Sequence, residues 1–502
     1  METVLKALTL VTDPYTLGVM LLAAMCGLFV GAIPGLTATM ATALLIPFSF
    51  FMEPVPASAA SVATVATAIF AGDIPGALLR IPGTPASAAY CDEAYAMTKK
   101  GLAERALGIA LVTSVIGGLA GSIGLSLSAP ALAKFALQFS SGEYFWLACL
   151  GLSCAVIISA GSTIKGFVSL LIGLFIATIG IDGTAGHPRF TFGNIELMGG
   201  VSFIPAMIGM FAISEVLRYV ASTRTVIEVP QQSVGSVFSG LGSILSRYKF
   251  NIVRGSSIGA VVGILPGAGA DIAAWICYAI SKKRSREPEK FGTGHPEGLV
   301  DAGSANNASL AGAWVPAIVF GIPGDSITAL VIGVLYMKGM NPGPMVFIQS
   351  PELIYAVFIA FFLANLALLP LGFAAIRLSR QILKIPRRVL MPLILMFCMV
   401  GAFAINNTVF GITVMLVLGI VAYLMEENGF PVAPAILGIV LGGMVEDNFM
   451  ASMIKADGSM LGFFSRPIAA TLGVITIMLW LTPILVAGWK QYQRMRSPTV
   501  ET

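Results

Sequence analysis

At several places the chain runs for about twenty residues with almost no charge, as over 144–160, 167–181, 354–375, 389–405 and 468–487. A helical run of that length crosses the hydrocarbon of a bilayer, because each residue advances about 1.5 Å and every backbone N–H and C=O finds its partner inside the segment. Of the 502 residues, 57% are hydrophobic and only 11% charged, so no polar stretch is left that is long enough for a separate soluble domain. The fold class read from this pattern is an all-α polytopic integral membrane protein with about ten to twelve transmembrane helices. The net charge of +4 sits in short loops, where it reports orientation in the bilayer and gives no case for nucleic-acid binding. The six cysteines show no CxxC spacing and mostly lie in apolar runs, so they read as small buried side chains. The first residues, METVLKALTLVTDPYTLG, lack the pattern of a cleaved signal peptide.

Two of the apolar runs are broken in the same way. GLFVGAIPGLTATMA at 27–41 returns as GAVVGILPGAGADIA at 259–273, aligning Gly27, Gly31, Pro34, Gly35 and Ala41 with Gly259, Gly263, Pro266, Gly267 and Ala273. A second pair follows in the same order: PGALLRIPGTPASA from Pro75 and PAIVFGIPGDSITA from Pro316 share the proline, the Ile-Pro-Gly and the last alanine. Paired motifs in one order point to an internal duplication, with halves of 1–245 and 246–502.

The basic loops indicate how these halves lie. In the first half the Pro-Gly break is followed by cation-free MEPVPAS and the Ile-Pro-Gly break by TKKGLAERA, with Lys99, Lys100 and Arg105. In the second half the order flips, with SKKRSREPEK after the Pro-Gly break and MKGMNPGPM after the Ile-Pro-Gly break. If Lys/Arg-rich loops face the cytoplasm, equivalent loops lie on opposite sides and the repeat is inverted. Arg254 before Pro266-Gly267 and the 282–286 cluster after it put like charge at both ends of one short apolar stretch, which suits a re-entrant hairpin.

A proline inside an apolar helix removes a donor and opens the backbone, and the half-helix beyond it offers free N–H groups and partial positive charge. Inverted repeats use such breaks to build a mid-membrane site for an anion and its coupling ion. The candidate substrate residues are Pro34, Gly35, Thr37, Thr39, Gly83, Thr84, Ser87, Pro266, Gly267, Gly269, Gly324 and Ser326, with Asn306 and Asn307 from GSANNASLAGAW. The candidate coupling-ion residues are Asp271, Asp325 and the same two asparagines, whose amides offer carbonyls to a cation and N–H donors to a carboxylate. Thr84 ahead of Pro85, Asp325 and Asp271 also read as ordinary helix caps.

Asp73 and Arg80, seven residues apart at the end of an apolar segment, are expected to share a helical face and neutralise each other, leaving Arg80 a weaker candidate for a substrate carboxylate. His187 and His295 precede prolines in loops and do not read as metal ligands. The basic stretch 377–388 reads as a cytoplasmic loop. No Walker motif, HExxH or nucleophile elbow is present, and no paired acid and base, so an ATP-driven, hydrolytic or other enzymatic reading finds no support.

Nine stretches in order, GAIPGLTATMA, IPGTPASAA, DGTAGHPRFTFG, FAISEVLR, GILPGAGADIAAW, PEKFGTGHPEGL, SANNASLAG, VFGIPGDSITALVIG and NPGPMVF, resemble the large membrane subunit of the tripartite tricarboxylate transporters along nearly the whole chain. That resemblance implies a multi-pass protein of the bacterial inner membrane that works with a small membrane subunit of about four helices and a periplasmic solute-binding protein. It also implies a carboxylate substrate, uptake driven by Na+ or H+ without another cofactor, and, by analogy with other ion-coupled carboxylate carriers, an elevator-like movement. The chain departs from the family pattern at Asp301 and Ala302-Gly303, where a Pro-Glu is common ahead of the asparagines, and at Glu93, where glycine is expected; its substrate need not be citrate. A membrane receptor that docks a loaded binding protein without transport is the alternative.

Overall fold

The computed structural model describes residues 2–34, 36–158, 162–183, 186–221, 237–265, 269–383 and 387–496. Among these it is helical almost throughout, and its strands are a two-residue pair, Gly180–Ile181 with Pro188–Arg189. In the first half we label α1 (Pro14–Gly31), α2 (Ala38–Phe50), α3 (Pro54–Ala71), α4 (Asp73–Leu79), α5 (Pro85–Lys99), α6 (Ala103–Ala136), α7 (Ser141–Ile158), α8 (Thr163–Ala177) and α9 (Phe203–Ala221). The second half carries α10 (Lys249–Gly263), α11 (Gly269–Arg284), α12 (Pro296–Phe320), α13 (Ser326–Met337), α14 (Pro351–Leu383), α15 (Arg387–Asn406), α16 (Val409–Glu427), α17 (Val432–Lys455) and α18 (Pro467–Arg496). Among the described residues, seven helices are long and apolar enough to cross a membrane, with six shorter apolar helices beside them. Two of the short ones, α2 and α13, are half-length pieces lying beyond a break.

The centre is built from two helices that see almost no solvent: every residue of α3 from Val55 to Ala71 and of α12 from Gly298 to Val319 is buried. Their neighbours approach closely because small residues line the contacts, as in membrane helix pairs generally. Gly27 and Gly31 of α1 lie on Thr64 and Ala68 of α3, and Gly255, Gly259 and Gly263 of α10 lie on Asp301, Ala305 and Ser309 of α12. In the first pair the threonines also donate across the contact, Thr64 to the Ala23 carbonyl at 3.1 Å and Thr67 to that of Ala24 at 2.9 Å. Where nothing of the protein covers a helix, large apolar side chains face outward, for example Leu22, Leu127 and Val417, as lipid contact requires.

Packing crosses between the halves. The long helices after each second break, α6 and α14, lie side by side with Gly118 against Asn365 and Leu111 against Gly372, so they run antiparallel. Helix α12 packs on α6 and α3 on α14, while α2 meets α13 and α5 meets α11. The loops sort accordingly. Lys100 donates to the Thr293 carbonyl at 2.7 Å, joining the two basic loops at one end of the bundle, and Lys338 donates to the Phe50 carbonyl at 2.7 Å at the cation-poor end.

The two Ile-Pro-Gly breaks share one backbone solution. Helix α4 ends in Arg80 at φ 60° and α12 in Gly321 at φ 70°, both left-handed. The next residue then bonds back six positions, Ile81 to the Pro75 carbonyl at 3.3 Å and Ile322 to that of Pro316 at 3.2 Å. Both following helices open with a reciprocal capping box, Thr84 with Ser87 and Asp325 with Thr328. At the second Pro-Gly break, α11 folds back along α10, with the Cys277 Sγ 3.9 Å from the Gly255 carbonyl it donates to. Gly35, Pro266 and Gly267 lie outside the described residues, as does the side chain of Asp271 in α11.

Candidate functional site

Each break delivers the start of a helix to the same place. A cavity of about 520 Å³ is lined by Thr37 and Thr39 at the start of α2, Thr84 and Pro85 at α5, Ile272 and Trp275 in the first turns of α11, and Asp325 and Ser326 at α13. Asn306, from the middle of α12, adds an amide to the same wall. The four helix starts brace one another: the Thr39 and Ser326 hydroxyls are 3.4 Å apart, and the Trp275 indole donates to the Pro85 carbonyl at 3.1 Å. A helix N-terminus carries about half a positive charge on unpaired N–H groups, and four of them around one space make it attractive to an anion.

Several of the remaining candidates stand behind that wall. Thr37 caps α2 by accepting from the Met40 N–H at 3.2 Å, and Asp325 caps α13 by accepting from the Thr328 N–H at 2.7 Å, so both side chains serve a helix as well as the cavity. Ser87 is buried in its capping box, Pro34 is buried, and Gly83 and Gly324 give close contact to Gly72 and Ala313. Gly269, at φ 50°, lies against the Asp325 side chain, with no room there for a Cβ. Asn307 points the other way from Asn306, to the Ala66 carbonyl of α3 at 3.4 Å. Consecutive helical residues diverge by about 100°, and here that turns Asn306 to the cavity and Asn307 to α3.

The expected pairing of Asp73 with Arg80 is not made. The helix stops at Leu79 and Arg80 turns left-handed, which takes the guanidinium off the face that holds Asp73. Arg80 instead binds Asp92 at 2.7 Å with both side chains well exposed, away from the cavity. Asp73 stays buried and accepts from the Tyr90 hydroxyl at 2.7 Å.

The structure also shows side chains that the sequence reading passed over. Arg218, with Glu215 and Glu426, lines the cavity at the ends of α9 and α16; Arg218 meets Glu215 at 2.8 Å and is bonded to Glu426. The signal was present in FAISEVLR, where Glu215 and Arg218 sit three apart at the end of an apolar run. Asp301, a departure from the family pattern, is the buried partner of Arg254. Glu93, the other departure, accepts from the Gly292, Gly294 and His295 N–H groups at 2.5, 2.7 and 2.8 Å and from the Tyr278 hydroxyl at 2.9 Å. It thereby clasps the basic loop of one half to the other.

The family model of the tripartite tricarboxylate transporter TctA family matches residues 17–437. This chain belongs to that family. A relative from Agrobacterium vitis, described as "Uncharacterized 52.8 kDa protein in TAR-I ttuC' 3'region", is 33% identical over 465 residues, covering 91% of each chain. A second from the same organism, "Uncharacterized protein in TAR-II ttuC' 3'region", is 35% identical over 228 residues, 45% of this chain and 94% of its own length. No solved structure matches. The TctA family is a family of transporters, so the chain is a multi-pass membrane protein of a transport system.

Proposed function

We propose that this chain is the large permease subunit of a tripartite, ion-gradient-driven carboxylate importer. It takes a tricarboxylate such as citrate, or a related di- or tricarboxylate, from a periplasmic solute-binding protein and moves it across the bacterial inner membrane, together with a small membrane subunit of about four helices. The observation that carries this reading is the convergence of four helix N-termini on one cavity. Its volume falls in the range of about 300–1,000 Å³ common to small-molecule sites, and its positive helix ends suit a multiply charged anion.

In this reading the N–H groups and hydroxyls of Thr37, Thr39, Thr84 and Ser326 take carboxylate oxygens, while Asp271, Asp325 and the Asn306 carbonyl serve the coupling cation, Na+ or H+. The halves 1–245 and 246–502 act as an inverted repeat. The antiparallel course of α6 and α14, and the meeting of basic loops at one end and cation-poor loops at the other, support that arrangement. The test is uptake of labelled citrate and a panel of di- and tricarboxylates into proteoliposomes holding this chain and its small subunit. Accumulation that requires the binding protein and an imposed Na+ or H+ gradient supports the importer. Docking of the loaded binding protein with no solute moved under either gradient overturns it in favour of a receptor.

A further inference from the structure

A buried chain of hydrogen bonds leads from the cavity wall to a carboxylate that the transport reading leaves unused. Asn306 is fully buried; its Nδ2 donates to the Tyr90 hydroxyl oxygen at 3.0 Å, and the Tyr90 hydroxyl donates to Asp73 Oδ1 at 2.7 Å. Two acceptors along it have no partner: Asp73 Oδ2, on a side chain only 4% exposed, and Asn306 Oδ1. We infer that Asp73 is a proton-binding site whose occupancy, relayed by Tyr90, sets which end of the Asn306 amide is left for the cavity. This rests on the carboxylate reading for its consequence, though not for the proton site itself.

The surroundings favour a proton over a metal cation. A space of about 10 Å³, room for one water, adjoins Asp73. Its polar lining is Ser87, Tyr90 and Cys91, and the rest is alanine, glycine and Leu299, too few oxygens for a desolvated Na+. Among the described residues, the titratable groups facing Asp73 are Tyr90 and Cys91, both from α5, and Cys91 is turned to the Gly76 carbonyl at 3.3 Å. Helix α6 presents Ala106 and Ala110 there and α12 presents Leu299, with Asn306 of α12 reaching the Tyr90 hydroxyl. An intramembrane carboxylate with one oxygen unpartnered and no cation beside it is costly when ionised, and binding H+ from water relieves it.

The relay follows from donor counting. With Asp73 ionised, the bonds run Asn306 to Tyr90 to Asp73, and the amide is left with one N–H and an unpartnered oxygen, which repels a carboxylate. With a proton on Asp73, its O–H donates to the Tyr90 oxygen, the Tyr90 O–H turns to Asn306 Oδ1, and the reversed amide frees Nδ2 to donate to an anion. Tyr90 keeps its proton throughout, so the sum is one H+ taken from water and one donor offered to cargo. By linkage, proton and carboxylate then strengthen each other's binding.

The test uses the full chain in lipid nanodiscs. Infrared difference spectra between about pH 9 and about pH 5 should show a protonated-carboxyl band that Asp73→Asn removes. Labelled citrate should bind roughly tenfold or more tightly across that fall in pH, beyond citrate's own titration. In Asp73→Asn, which can no longer take up a proton, that extra dependence should vanish. Tyr90→Phe should keep the band and lose the extra dependence, and it serves if Asp73→Asn does not fold. A missing band, or one undiminished in Asp73→Asn, overturns the proton site. Equal pH profiles in wild type and Tyr90→Phe overturn the relay. If citrate binds at no pH while the band behaves as expected, the carboxylate reading of the cavity fails and the proton site stands.

Discussion

Replacing Glu93 by glutamine should release the basic loop, and the size of the effect follows from its bonds. The carboxylate is fully buried and takes four donors: the N–H groups of Gly292, Gly294 and His295, and the Tyr278 hydroxyl. Gly292 and Tyr278 share one oxygen, while Gly294 and His295 share the other. An amide keeps one accepting oxygen and points its NH2 at the second pair of donors, so two bonds are lost and donors are left facing donors. Bonds to a charged group contribute about 1.5–3 kcal/mol each, which puts the loss at about 3–6 kcal/mol. Part of the loop is exposed and can lift away to rehydrate its N–H groups, so the lower figure is the one to expect. About 3 kcal/mol corresponds to roughly a hundredfold change in an opening equilibrium. The assay is hydrogen–deuterium exchange of peptides covering 286–296 in the reconstituted chain, because the amides that exchange are the bonds in question. Exchange at 292–295 should quicken about a hundredfold in Glu93→Gln, with α3 unchanged. Equal exchange in the two proteins would refute the clasp.

Asp325→Asn keeps a good helix cap and removes the charge, so thermal stability in detergent should change by less than about 1 kcal/mol while ion-driven uptake is lost; retained uptake would take Asp325 out of the cation site. Gly263→Val drives a side chain into the Ser309 backbone across the α10–α12 contact and should destabilise by about 1–3 kcal/mol or more, seen as a lower melting midpoint; no change would mean the two helices do not meet there. Arg218→Gln removes the one basic side chain among the described residues that line the cavity, and binding of labelled citrate should weaken about tenfold; equal affinity would place the carboxylates elsewhere. At Glu287 the bond from Lys290 at 2.5 Å holds the carboxyl below its usual range, so its contribution is present above the ordinary carboxylate pKa and is lost as pH falls through the lowered one. Exchange of the 286–296 loop should therefore quicken only below about pH 4, and quickening at neutral pH would refute the assignment.

Much of this protein can be read from its residues alone because bilayer hydrocarbon is an exacting solvent. Apolar runs of spanning length leave no fold but helices, and a Pro-Gly inside such a run signals a helix end because proline lacks the donor, although Pro75-Gly76 is carried within α4. The pairing of breaks, the helix-start roles of Thr37, Thr84 and Asp325, and the sorting of Lys/Arg loops are local or compositional signals of this kind. Which side chains share a space is a different matter, because it depends on helix rotation and on where a helix stops. Asn306 faces the cavity and Asn307 faces α3 because they are a hundred degrees apart on one helix. Asp73 turns to Tyr90 because the helix ends one residue before Arg80. Arg218 joins the cavity because α9 is packed against α16, a contact between segments some two hundred residues apart that no spacing in the chain records. The helices and their breaks follow from local chemistry, whereas the convergence of four helix ends on one anion-sized cavity comes from small-residue helix contacts within each half and from the packing of one half on the other, which only the packed structure decides.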